Sequence, residues 1–202
     1  MFRLLETIKL SRRNLCNLEY HQRRFNTSQR DLFGLNNKID LSSEIKIPTG
    51  ISDSVFKVRV LYSEIIHDVE FHPYIMRTIG SLQIVNGDEV NYSYKYEDRS
   101  NLQKLLCKCT ADEVLIIKNG FVTDTSYSNI VFSKEGKFYT PSTYLLNGTK
   151  RQKLLDDGMI LERDIALKDM LKYEKIFLIN SMIDIDVQPG IAINQIKGVD
   201  II

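Results

Sequence analysis

The run VFKVRVLY at residues 55–62 constrains the fold most, because apolar side chains occur on both faces of the strand that its alternation predicts. A strand with two apolar faces belongs inside a sheet that is covered on both sides. Other strand-type runs lie at 2–10, 67–74, 79–85, 113–120 and 175–180, and helix-type spacing lies at 17–33, 102–109 and 148–158. The mixture predicts an α+β (mixed α/β) fold rather than a doubly wound parallel sheet.

Two turn signals organise the chain. Asn86-Gly87-Asp88 predicts a turn and a domain boundary, which gives an N-terminal α/β domain at 1–86 and a C-terminal domain at 87–202. Asn119-Gly120 predicts a tight turn. The strand before it and the second half of FVTDTSYSNIVF (121–132) are therefore expected to pair as a hairpin.

Composition excludes several classes of partner. The 27 basic and 26 acidic residues nearly cancel, so net charge gives no support to a nucleic-acid partner. No apolar run reaches the roughly 18 residues of a membrane span, and the first residues do not resemble a secretory signal. Cys16, Cys107 and Cys109 match neither a disulfide framework nor a zinc site. We expect a cytoplasmic protein without metal, nucleic acid or membrane association.

Lys95 is the first candidate for chemistry. It lies in YSYKYEDR between Tyr94 and Tyr96. A desolvated lysine has a lowered pKa and can act as a Schiff-base nucleophile. A lysine whose stem crosses tyrosine rings on its way to water gives the same pattern. The segment alone leaves both interpretations open and favours the second.

Three further polar sites have two interpretations each. Asp124 could pair with a protonated ring nitrogen or could form an ordinary Asx turn. The amides of Gly148, Thr149 and Lys150 in LLNGTKR could bind an anion or could simply begin a helix. Asn180 and Ser181, after the apolar strand KIFLI, could face a ligand or start a turn.

These weak signals combine into a resemblance. G-F-V-T-D-T-S-Y-S-N-I, Y-T-P and L-L-N-G-T-K-R, in that order, are similar to the signature of class IV aminotransferases: G-x-(V/L)-T-(E/D)-x-(S/T)-x-x-N, then T-P, then (L/P)-x-G-(I/T)-x-R. EYHQRRF resembles the H-x-x-R pattern of the same family. The resemblance implies fold type IV, with a small N-terminal domain and a barrel-like C-terminal sheet domain. It also implies the cofactor pyridoxal 5′-phosphate (PLP), bound by the C-terminal domain, and a homodimer.

The resemblance also implies roles for individual residues. Lys95 matches the Schiff-base lysine, and Asp124 matches the acid at the ring nitrogen, where the family usually has glutamate. Arg24, Thr149, Lys150, Asn180 and Ser181 match positions around the cofactor phosphate, which suits an arginine fork and backbone amides. Arg59, Tyr62 and Arg99 are predicted to bind a substrate carboxylate.

The segment after Lys95 bears on the reaction. It reads K-Y-E-D-R, which is similar to the K-x-x-(N/D)-R of 4-amino-4-deoxychorismate lyases. It lacks the Asn-Tyr pair that branched-chain aminotransferases place four and five residues after the lysine. The resemblance therefore favours a lyase that releases pyruvate and 4-aminobenzoate from an amino substrate. The alternatives are an amino acid transaminase, of the branched-chain or D-amino acid type, and an inactive PLP-binding relative.

Overall fold

The computed structural model of the chain describes residues 2–36, 39–107 and 109–198. The chain divides into two compact units. The first comprises Met1–Met76 and Tyr94–Asp98, and the second comprises Arg77–Ser93 and Arg99–Ile202. The sequence predicts the boundary between the two domains after residue 86. The strand that ends at this residue, Leu82–Asn86, pairs within the second unit.

The first unit is one antiparallel sheet with helices. Its elements are β1 (Leu4–Ser11), β2 (Asn14–Leu15), α1 (Leu18–Phe33), α2 (Leu41–Glu44), β3 (Phe56–Tyr62) and β4 (Ile66–Pro73). The strand order is β2-β1-β3-β4. The run at 55–62 thus lies between two neighbours, which confirms the prediction of a central strand. Pro73 ends the edge strand β4, where a missing backbone donor does least harm.

Helix α1 follows the predicted spacing and covers the sheet core. His21 and Phe25 lie on its buried face. Asn17 precedes the first turn with a left-handed backbone, φ 53°, and its side chain makes no capping bond. Gly34 ends the helix: its backbone has φ 67°, and its N–H donates to the carbonyl of Arg30 at 3.0 Å.

The segment 94–98 joins the first unit through β1. The amide of Leu5 donates to the carbonyl of Lys95 at 2.9 Å, and the amide of Glu97 donates to the carbonyl of Arg3 at 2.9 Å. Leu4 and Tyr96 form an antiparallel bridge between these bonds. The backbone of Lys95 is therefore fixed directly beside the first strand.

The second unit contains two sheets. Its strands are β5 (Leu82–Asn86), β6 (Glu113–Lys118), β7 (Phe121–Val122), β8 (Asn129–Lys134), β9 (Lys137–Pro141), β10 (Leu161–Arg163), β11 (Lys175–Ile179), β12 (Ile191–Ala192) and β13 (Ile196–Lys197). Its α-helices are α3 (Ser100–Leu106) and α4 (Thr149–Asp156), and 3₁₀ turns lie at Leu167–Lys172, Ile185–Val187 and Ile193–Gln195. The sheet orders are β13-β5-β6-β7 and β10-β9-β8-β11-β12, with parallel and antiparallel pairs in both. The predicted α+β class is confirmed.

The predicted hairpin across Asn119-Gly120 is wrong in its second strand. Both turn residues have positive φ, 51° and 78°, and β6 pairs across them with the two-residue β7, after which Thr123 and Asp124 each share one backbone hydrogen bond with Ile116. β8 lies instead in the other sheet, between β9 and β11. The cause is a buried bend at 123–128, closed by the amide of Thr125 and the carbonyl of Ser128 at 2.9 Å. This bend leads the chain from one sheet to the other.

Apolar residues from both sheets of the second unit form one core. Leu82, Leu115, Ile130, Phe132, Ile176 and Leu178 are fully or almost fully buried in it. Tyr127 of the bend at 123–128 packs against this core. Within the described ranges, every helix is too short or too polar to cross a lipid bilayer.

Candidate active site

A charged cluster lies in the core of the first unit. Glu6 on β1 is fully buried, although its neighbours on the same face, Leu4 and Ile8, are apolar. Arg24 Nε donates to Glu6 Oε1 at 2.8 Å, and Arg24 Nη2 donates to Glu6 Oε2 at 2.5 Å. His21 Nδ1 lies 2.6 Å from Glu6 Oε2. The predicted phosphate ligand Arg24 is thus held by a two-bond fork to a carboxylate.

The electrostatics of this cluster fix its protonation. Burial raises the pKa of Glu6, but the charge of Arg24 and hydrogen bonds from Arg24 and His21 outweigh it, so the pKa lies at about 2. Burial lowers the pKa of His21, and the charges of Arg24 and Lys95 act in the same direction against the effect of Glu6. His21 is therefore neutral at pH 7. Because an ionised carboxylate only accepts, Nδ1 of His21 carries the proton.

The other predicted residues of the first unit lie in different surroundings. Lys95 is half-buried, and its charge acts on His21, so it belongs to the neighbourhood of the Glu6 cluster. Tyr62 is 1% exposed and its ring packs on Phe25 with centroids 4.5 Å apart. Burial raises the pKa of the Tyr62 hydroxyl. Arg59 instead pairs with Glu70, Nη1 to Oε2 at 2.6 Å, where its side chain is 28% exposed.

Asp124 lies at the start of the buried bend in the second unit. Its Oδ2 accepts from the amides of Leu145 and Leu146, at 2.8 and 3.0 Å. Its Oδ1 accepts from Asn129 Nδ2 at 2.8 Å. Three donors thus converge on one carboxylate, which fixes its position relative to the loop before α4.

The pKa of this carboxylate is shifted toward neutrality. Burial raises the pKa of Asp124 to about 6, against hydrogen bonds from Leu146, Asn129 and Leu145 and the charge of Arg151. The carboxylate is therefore mostly ionised at pH 7, and it becomes mostly protonated below about pH 6. A buried acid with such a pKa is a feature of functional sites.

Asn129 connects Asp124 to the start of α4. Besides its bond to Asp124, Nδ2 donates to the carbonyl of Leu146 at 2.8 Å. Gly148 is the residue before the first turn of α4, which opens with the buried residues Thr149, Lys150 and Arg151. The Asn129 side chain thus links the Asp124 carboxylate to the loop that precedes the predicted anion-binding backbone amides of α4.

The ammonium group of Lys150 bonds the carboxylate of Asp184. A side-chain bond from Lys150 to a phosphate would compete with this ion pair, whereas the backbone amide of Lys150 takes no part in the pair.

Arg151 is 1% exposed and donates from Nη2 to the carbonyl of Pro141 at 2.9 Å. It also pairs with Glu162 and stacks on Tyr144 at 4.3 Å. Arg151 therefore braces the loop at 141–147 that donates to Asp124.

The remaining predicted residues of the second unit also meet this bend. Asn180 Nδ2 donates to Ser128 Oγ at 3.0 Å, and its Oδ1 accepts from the amides of Met182 and Ile183, at 2.8 and 3.1 Å. Ser181 lies half-buried in the turn that these bonds make. Asn180 therefore shapes the turn that presents Ser181.

Arg99 holds the bend from another side. Its guanidinium donates to the carbonyl of Ser126, whose amide donates to the fully buried Glu113 at 3.3 Å. Arg99 was predicted to bind substrate. In the structure its bond to Ser126 also supports the segment that carries Asp124.

Sequence reasoning missed three residues around these sites: Glu6, Glu113 and Asn129 as the link between Asp124 and α4. Glu6 and Glu113 carried no distinctive local signal, since Glu6 alternates with Thr7 and Lys9 along its strand and Glu113 follows Asp112 at the start of an apolar run. Asn129 was quoted as part of a motif but given no role. Its partners lie 5 and 17 residues away, so no local pattern marks it.

The sequence and the fold of the chain resemble those of known proteins. The sequence profile of the family "Amino-transferase class IV" matches residues 98–187. An uncharacterised protein of Haemophilus influenzae is 36% identical over 185 residues, which cover 90% of this chain and 98% of that protein. The chain belongs to the class IV aminotransferase family.

Solved structures share the architecture. The crystal structure of a "putative 4-amino-4-deoxychorismate lyase" from Haemophilus somnus is 32% identical, with a TM-score of 0.85 over 90% of this chain and 97% of that one. A hypothetical aminotransferase from Mycobacterium tuberculosis, solved in its PLP-bound form, is 17% identical with a TM-score of 0.72, over 98% of this chain and 82% of that one. The second likeness concerns the fold alone, which is that of fold type IV.

Proposed function

We propose that the chain is a PLP-dependent enzyme that acts on an amino substrate, with Lys95 as the covalent anchor. The observation that carries this proposal is the buried Asp124 carboxylate, held by two amides and Asn129 within the family signature. Family membership supports the class of chemistry. The PLP-bound state of the Mycobacterium tuberculosis aminotransferase supports the cofactor.

The hydrogen bonds that Asp124 already accepts leave room for this role. A carboxylate can accept about four hydrogen bonds, and Asp124 accepts three from the described residues. One further donor, such as a protonated ring nitrogen, is therefore compatible with its chemistry. The residues present fit the cofactor at this position.

The phosphate would be held by Arg24, by the amides of Thr149 and Lys150, and by Asn180 or Ser181. When bound, PLP supplies an aldehyde that captures amines and an aromatic ring that accepts electron density from the substrate α-carbon. Asp124, ionised above about pH 6, would keep a proton on the ring nitrogen. Lys95 Nζ would take a proton from the substrate α-carbon and return it, as general base and acid.

We further propose that the reaction is of the 4-amino-4-deoxychorismate lyase type, which releases pyruvate and 4-aminobenzoate. Two observations favour it: the K-Y-E-D-R segment and the likeness to the Haemophilus somnus protein. An amino acid transaminase is the second candidate, favoured by the name of the family whose profile matches. Loss of activity in a PLP-binding relative is the third outcome.

The anchoring role is tested with the purified full chain and PLP. Reduction with borohydride should fix the cofactor to Lys95, which peptide mass spectrometry would locate. Lys95→Ala should abolish this adduct, while Lys104→Ala, on the exposed face of α3, should retain it. An adduct on another lysine, or none at all, would refute the proposed anchor.

The reaction is tested by incubating the holoprotein with 4-amino-4-deoxychorismate in the absence of any keto acid. Release of pyruvate and 4-aminobenzoate in equal amounts is expected of a lyase. Turnover that needs 2-oxoglutarate would show a transaminase instead. Retention of PLP without turnover of either kind would show an inactive relative.

We also propose a homodimer, as the resemblance implies. Light scattering of the purified chain should give twice the monomer mass of 23.4 kDa. A monomer at micromolar concentration would contradict this proposal.

A further inference from the structure

The side chain of Glu6 is committed to α1. Both carboxylate oxygens accept from Arg24, at 2.8 and 2.5 Å, and Oε2 also lies 2.6 Å from Nδ1 of His21. His21 and Arg24 are one turn apart on α1, so the carboxylate contacts two successive positions of one helix face. Glu6 itself is 0% exposed.

Stability alone does not account for an acid at this position. Burying an ion pair costs desolvation energy, and apolar residues of similar size are commonly as stable or more stable. The adjacent positions of the same strand face, Leu4 and Ile8, are apolar and fully buried. A charge at position 6 is therefore best explained by what it does to its partners.

The partner with access to solvent is Arg24. Its side chain is 15% exposed, whereas those of Glu6 and His21 are 0% exposed. The two-bond fork fixes the plane and direction of the guanidinium, which a single bond would leave free to rotate. A guanidinium has five N–H donors, so bonds to Glu6 are compatible with donation to a further acceptor.

We propose that Glu6 is a positioning residue that orients the Arg24 guanidinium toward the phosphate group of the cofactor. This inference rests on the proposed function. The negative charge of Glu6 by itself disfavours a nearby phosphate dianion, so its contribution must come from orientation. Charge and orientation thus predict opposite results when the carboxylate is replaced.

The test compares two probes, PLP and pyridoxal, which differ only in the phosphate. The ratio of their dissociation constants measures the phosphate site, and it cancels any loss of folded protein because both probes are affected equally. Glu6→Gln keeps the shape but faces Arg24 with one acceptor and one donor group, which breaks the fork. We expect the preference for PLP to fall about tenfold, near the value of one charged hydrogen bond.

Two companion variants sharpen the test. Glu6→Asp retains two acceptor oxygens and should recover part of the preference. In an Arg24→Lys background, which cannot form the fork, Glu6→Gln should cause no further fall in the ratio, and loss of the repelling charge should hold or raise it. Glu70→Gln removes another arginine partner from the same unit and should leave the ratio unchanged.

The possible results distinguish a failure of the proposed function from a failure of the proposed role of Glu6. If the unaltered chain binds PLP no more tightly than pyridoxal, it has no phosphate site, and the proposed function falls together with this inference. If the unaltered chain prefers PLP and Glu6→Gln keeps or increases that preference, only the positioning role of Glu6 is refuted. A similar drop in Glu70→Gln would also refute it.

Discussion

A β-carbon built on Gly148 would lie 1.9 Å from Oδ1 of Asn129. No side chain fits at that distance unless Asn129 moves. The backbone of Gly148 is extended, with φ −71° and ψ 143°, so alanine could adopt its conformation without strain. The glycine is therefore required by the close approach of Asn129, the residue that also donates to Asp124.

Gly148→Ala is expected to displace Asn129 from Asp124 and from the carbonyl of Leu146. Such overpacking typically costs about 2 kcal/mol, and the displaced acid should also weaken PLP binding. Urea unfolding and PLP titration would measure the two effects. Gly50→Ala is the matched control because nothing lies within 4 Å of its added carbon, and it should change stability by less than about 1 kcal/mol. Equal behaviour of the two variants would contradict this account of Gly148.

The pH dependence of turnover should follow Asp124. Its pKa is raised to about 6, so the carboxylate that would keep the ring nitrogen protonated is present above that pH and lost below it. The rate constant kcat should therefore decline as the pH falls through about 6. Steady-state kinetics between about pH 8 and pH 5 would show this limb.

Asp124→Asn supplies the control for that limb. Asparagine cannot ionise, so the variant should be much slower at pH 8 and should show no decline centred near pH 6. Circular dichroism over the same range separates this effect from unfolding. A wild-type limb that persists in Asp124→Asn would assign the titration to another group.

Arg151 should matter for stability through its buried contacts. Arg151→Lys would keep the charge but lose the planar group that meets Pro141, Glu162 and Tyr144 together. We expect a loss of about 2 kcal/mol, because the buried carbonyl of Pro141 loses its donor. Arg163 stacks on Tyr139 at 4.3 Å but is exposed, so Arg163→Lys should cost less than about 1 kcal/mol. Similar losses in both variants would refute this distinction.

The elements that could be predicted are those defined by contiguous residues. The period of α1 and the glycine after it mark a helix in one stretch of sequence, as does the apolar run of β3. The partner of β8 could not be predicted in the same way. It depends on the bend at 123–128, which is held by donors from residues 145 and 146.

The residues of the candidate site also differ in whether contiguous sequence marks them. Lys95 and Asp124 are candidates because their motifs resemble those of a family, while their own local patterns favoured simpler explanations or left their roles open. Glu6 could not be recognised as a site residue because its partners lie 15 and 18 residues away on a helix. Only the packing of that helix on β1 brings them together.

Acid unfolding of the chain should depend on Glu6. Its pKa in the folded chain is about 2, compared with 4.5 for a free side chain. A lowered acid pKa contributes stability that is fully present above about pH 4.5 and is lost as the pH falls toward about 2. At 1.36 kcal/mol per pKa unit, the contribution is on the order of 3 kcal/mol. Urea unfolding between about pH 6 and pH 3 should therefore show a steep fall in the free energy of unfolding.

Glu6→Gln should flatten that fall, because glutamine binds no proton in this range. Its stability at pH 6 should be lower than that of the unaltered chain, since the positive charge of Arg24 then lacks its partner. Glu97→Gln is the control: Glu97 also binds an arginine, Arg3, at 2.7 Å, but the Arg3 side chain is half-exposed and water screens the pair. This variant should keep the steep dependence. If Glu6→Gln keeps it too, the stabilising charge lies elsewhere in the chain.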